Sequence, residues 1–76
     1  MLTEADDDVV TALKALRKQL AAERAVPAYV IFSDATLYDL AAQRPRSADA
    51  LLGISGIGPK KLELYGDAVL AVLTRA

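Results

Sequence analysis

Only one stretch of this 76-residue chain, AVPAYVIF over 25–32, has the β-branched and aromatic density of a strand. A lone strand leaves its N–H and C=O groups unpaired, and no other segment offers it a partner. The expected fold class is therefore all-α, a compact bundle of four to five helices. The stretch itself reads as an irregular or short 3₁₀ connector, with Pro27 stopping the preceding helix and Val30, Ile31 and Phe32 plugging the core. Composition agrees, because the chain is 54% hydrophobic but only 5% aromatic, and Ala and Leu are strong helix formers. A chain of this length builds one core and hence one domain, read as an acidic leader over 1–8 and a helical domain over 9–76.

The missing residue types narrow the chemistry. There is no Cys and no His, which removes disulfides, thiolate metal sites and the commonest general base together. Catalysis would have to rest on carboxylates, lysines or hydroxyls. A metal-dependent nuclease needs gathered carboxylates, yet the one acidic cluster, Glu4 and Asp6–Asp8, lies in the N-terminal segment. No catalytic residue and no metal ligand is therefore expected. No apolar run approaches the roughly 18 residues that span a bilayer, and MLTEADDD is acidic where a secretory signal is basic. A monomer in the cytoplasm is the expectation, associated with the nucleoid in a bacterium, or in the nucleus of a eukaryote.

Helices are legible from periodicity and caps. Val9, Leu13, Leu16 and Leu20 fall within about 60° of one another on a helical wheel, with Lys14, Arg17 and Lys18 on the flank. Those cations make either a solvated face or a phosphate-facing one. Ser33 is a good N-cap, Phe32 and Leu37 occupy the staple positions, and a helix should run from Asp34 to Gln43 until Pro45 ends it. Ser47 caps a short helix carrying Leu51 and Leu52, with Gly53 where a left-handed residue is wanted. Pro59 suits the first position of a last helix bearing Leu62, Tyr65, Val69 and Val72. Gly66 interrupts it, which implies a close neighbour.

Between the last two helices lies GISGIGPKK, over 53–61. Gly56 and Gly58 flank Ile57, which can turn into the core while the glycines take angles closed to other residues. The first N–H groups of the following helix have no acceptors within it and carry the positive end of its dipole. Lys60 and Lys61 are electrostatically misplaced there, and a bound anion would reverse that sign. The pattern is similar to a helix-hairpin-helix GIG turn, and it serves equally as a phosphate seat or as a plain interhelical turn.

Taken together and in order, VPAYVIFSDATL, RP, ISGIG and KLELYG make nearly the whole chain resemble the HRDC domain, the helicase and RNase D C-terminal module of RecQ-family DNA helicases and ribonuclease D. The details favour the helicase over the nuclease. The resemblance implies an auxiliary helical module that binds single-stranded or branched DNA weakly and modulates the helicase's choice of substrate. It needs no cofactor of its own, since ATP and Mg belong to the parent helicase core. It also implies that an aromatic in the connector, here Tyr29, stacks on a base, alongside the alternative that Tyr29 is a lid over the core. Tyr38 and Tyr65 are expected to pack.

Two departures bear on the partner. Ala28 stands where many relatives carry a second proline. Net charge is −1, although from residue 9 onward nine basic residues face six acidic ones. One reading is therefore a DNA-binding module using Tyr29, Lys14, Arg17, Lys18, Gly56, Gly58, Lys60 and Lys61. The other is a docking module that uses Asp6, Asp7 and Asp8 against another domain of the helicase or a partner protein.

Overall fold

The structure, a computed structural model, describes residues 4–75, with side chains described from residue 7 onward. Five helices follow in order: α1 (Glu4–Arg24), α2 (Ala28–Ile31), α3 (Asp34–Gln43), α4 (Ala48–Leu52) and α5 (Pro59–Arg75), with no strand among the described residues. Helix α1 is the centrepiece, packing on α2, α3 and α5, while α4 packs on α5. Val9 and Leu13 of α1 are fully buried with Ile31, Phe32, Leu37, Leu40, Leu51 and Val69. Leu16 and Leu20 lie at the margin of this core. Because α1 begins at Glu4, the acidic run belongs to its first turns, where carboxylates favour the dipole.

The end of α1 is closed by Ala25 at φ 56. The Val26 N–H donates to the Ala21 carbonyl at 3.0 Å and the Ala25 N–H to that of Ala22 at 3.2 Å, a Schellman closure that normally carries glycine. Alanine is strained in that conformation. Ala25→Gly is accordingly expected to stabilise the domain by about 0.5–1 kcal/mol, the relief of strain exceeding the extra chain entropy lost. A thermal melt reads this as a midpoint raised by about 2–8 °C; a lowered midpoint would show that no strain is stored there.

The connector differs from expectation. Its middle is one turn of α-helix, capped at Pro27 without any side-chain hydrogen bond. Only Ile31 and Phe32 plug the core, and Val30 is 43% exposed, because consecutive residues of a turn point about 100° apart. Helix α3 spans the expected residues, with the Ser33 hydroxyl accepting from the Thr36 N–H at 3.2 Å. It ends in a left-handed Arg44, φ 46, just before the buried Pro45. Ser47 caps α4 as expected, its Oγ accepting from the Ala50 N–H at 3.1 Å.

Gly53 is not left-handed, however, with φ at −76. The chain instead keeps winding right-handed, the Ile54 N–H donating to Leu51 and the Ile57 N–H to Ile54, so that Ile54 and Ile57 are buried. The reversal comes three residues later, at Gly56, φ 95. Helix α5 then starts at Pro59, and the Gly58 carbonyl accepts from the Leu62 N–H at 2.9 Å. Its fully buried face is Tyr65, Gly66, Val69 and Leu73. At Gly66 a methyl would crowd Leu62 of the same helix at 2.9 Å, while Leu51 of α4, at 3.8 Å, is a neighbour at ordinary contact distance.

Candidate nucleic-acid interface

Helices α1 and α5 run antiparallel. The Arg24 guanidinium lies 5.1 Å from the centre of the Tyr65 ring at one end, and Asp8 shares a shallow groove with Val72 and Arg75 at the other. The exit of α1, the whole of α2, the start of α3 and the start of α5 therefore gather at one end of the bundle. A buried hydroxyl links the start of α3 to the turn that precedes α5. Thr36 Oγ1 donates to the Ser55 carbonyl at 2.8 Å and accepts from Ser33 Oγ at 3.2 Å. This pins the glycine turn against the first turn of α3, and the sequence analysis did not single out Thr36.

That end holds most of the expected contact residues. Tyr29 is 70% exposed, which removes the alternative that it lids the core. Lys60 is exposed and Lys61 half-buried, both in the first turn of α5. A methyl at Gly58 would meet open space. The two glycines do different jobs. Gly56 alone takes a left-handed angle, and it faces the Thr36 hydroxyl across too little space for any side chain. The expectation of special backbone angles at both glycines is corrected for Gly58.

Along the α1 and α3 flank, Lys14 and Lys18 are exposed. The Lys14 ammonium sits 5.8 Å from the centre of the Tyr38 ring, and Tyr38 is 42% exposed rather than packed as expected. Tyr65 is buried, as expected. Arg17 does not join the two lysines in solvent. Its side chain is only 13% exposed and its Nη1 reaches Asp34 Oδ1 at 2.8 Å. Asp7 and Asp8 are exposed at the start of α1; Asp8 lies beside Arg75, which is 15 residues or about 22 Å along α5 from Lys60. The side chain of Asp6 lies outside the described residues. Asp7 and Asp8 are thus remote from the glycine turn, whereas Glu63 stands exposed three residues after Lys60.

Among the described residues, no group of three or more His, Cys, Asp or Glu is arranged to hold a metal ion, and no helix is long and apolar enough to cross a membrane. The described residues form a small all-helical bundle with an exposed aromatic, Tyr29, and adjacent lysines, Lys60 and Lys61. The chain belongs to the HRDC domain family, whose model matches residues 6–73. It is 40% identical to the ATP-dependent DNA helicase RecQ of Haemophilus influenzae over 68 residues, 90% of this chain and 11% of that protein. It is 43% identical to the ATP-dependent DNA helicase UvrD2 of Mycobacterium tuberculosis over 70 residues, 92% of this chain and 10% of that protein. Its structure matches HRDC domain 3 of the D. radiodurans RecQ with a TM-score of 0.90 at 37% identity, covering 92% of each chain. The family resemblance and the all-α expectation both hold. The chain spans about a tenth of the length of these helicases, in which the module is an accessory domain.

Proposed function

We propose that this domain gives a DNA helicase a weak, sequence-nonspecific grip on single-stranded or branched DNA and so biases which substrates the motor engages. ATP hydrolysis belongs to the motor. The observation that carries the reading is Tyr29, a large aromatic left 70% exposed on a turn whose neighbours Ile31 and Phe32 are fully buried. A ring presented in this way offers a base a stacking face without reading its identity, worth about 1–3 kcal/mol per base. Lys60 and Lys61 in the first turn of α5, with Lys14 and Lys18 on the flank, supply the phosphate term, which weakens as salt rises.

Fluorescence anisotropy with single-stranded and forked DNA at two salt concentrations tests this. Tyr29→Ala is expected to weaken binding by about 5- to 150-fold, with the salt dependence unchanged because a base contact releases no counterions. Equal affinity in the variant would remove Tyr29 from the interface. Wild-type binding weaker than millimolar would instead favour protein docking, a reading supported by the exposed Asp7 and Asp8 at the opposite end.

A further inference from the structure

Arg17 has the charge of a phosphate ligand, but its side chain is engaged inside the fold. Its Nη1 donates to the Phe32 carbonyl at 3.2 Å and forms an ion pair with Asp34 Oδ1 at 2.8 Å. Its guanidinium carbon lies 6.0 Å from the centre of the Phe32 ring. One side chain of α1 thus holds the residue that ends α2 and the residue that begins α3. Beyond the buried Ile31 and Phe32 at its C-terminal end, helix α2 has little to hold it. It is four residues long, its cap Pro27 makes no side-chain hydrogen bond, and an isolated turn of that length is unstable in water. Phe32 is extended, at φ −163 and ψ 156, so its carbonyl lies outside the helical ladder and is free to take the guanidinium.

We infer that Arg17 is a positioning residue that clamps the one-turn α2 so that Tyr29 is held outward, and that it contacts no phosphate itself. The inference rests on the proposed stacking role of Tyr29 for its consequence in DNA binding, but the clamp can be examined without DNA. Lysine keeps the charge, yet its ammonium ends one bond short of the Nη1 that makes both contacts and has no planar face to lie over the Phe32 ring. Arg17→Lys therefore separates the two roles. A phosphate contact tolerates the change, and a clamp does not.

In the DNA-free arm, backbone ¹⁵N relaxation on Arg17→Lys is expected to lower the order parameters of the exposed residues 28–30 from about 0.85 to below about 0.6 while α1, α3 and α5 stay rigid. Unchanged order at 28–30 overturns the clamp, whatever the DNA arm shows. In the DNA arm, Arg17→Lys is expected to weaken single-stranded DNA binding about three- to tenfold, leaving the slope of log K against log salt as in the wild type. Arg17→Ala in a Tyr29→Ala background should then change affinity by less than about twofold, since a residue that acts through Tyr29 has nothing left to position. Full additivity in that double variant, with a slope shallower by about 0.7, identifies a direct phosphate contact and overturns the inference. A wild type that binds no DNA removes the stacking reading, and the relaxation arm alone then decides the clamp.

Discussion

Gly56→Ala is expected to destabilise the domain by about 3–5 kcal/mol, lowering the melting midpoint by roughly 12 °C or more. Two costs combine. At φ 95 an alanine is held in a region open essentially to glycine, which costs on the order of 1–3 kcal/mol. The added methyl also overlaps the hydroxyl of Thr36, which can yield only by giving up its 2.8 Å bond to the Ser55 carbonyl. An unsatisfied buried hydroxyl costs about 1–3 kcal/mol more. Circular dichroism melts provide the measurement, and a midpoint shift under about 4 °C would refute the account. Gly58→Ala is the internal control, because its methyl meets open space, and its expected cost is under about 1 kcal/mol. Adding Thr36→Ala to Gly56→Ala clears the collision, so the double variant should be less destabilised than the sum of the singles.

Replacing Phe32 by alanine should cost about 3–5 kcal/mol, as expected for a fully buried aromatic whose cavity cannot collapse. Phe32 is the largest side chain buried without exposure, and it is also the surface over which Arg17 lies. A domain of this size has about 4–11 kcal/mol of stability in all, so the variant should be close to half unfolded in mild urea. Val30→Ala, two residues away, removes a half-exposed side chain and should stay within about 0.5 kcal/mol. Chemical denaturation reads both; a Phe32→Ala cost below about 2 kcal/mol would mean that the connector is not part of the core.

Much of the scaffold was legible because its signals are local. Ser33 and Ser47 cap the helices they precede, and Pro59 opens α5, since a cap depends on the next three residues and little else. The misreadings have a different origin. Gly53 follows α4 where a left-handed residue is wanted, but the burial of Ile54 and Ile57 keeps the chain right-handed until Gly56. Tyr38 has the same composition signal as Tyr65, yet the one rests half-exposed under Lys14 while the other is buried under Arg24. Arg17 and Lys18 are adjacent cations in sequence, and only the arrival of Phe32 and Asp34 alongside α1 gives Arg17 its partners.

The order of residues alone thus determined an all-helical bundle, the capped starts of three of its helices, the family, and the glycine turn with its paired lysines. Periodicity, capping and backbone permissiveness all act within a few residues of one another. Tertiary structure alone decided which glycine is irreplaceable, which cation is free to meet a phosphate, and that the acidic start of α1 lies at the far end from Lys60 and Lys61. Each of these depends on groups distant in sequence, such as Thr36 with Ser55 or Arg17 with Asp34, whose meeting is set by how the helices pack.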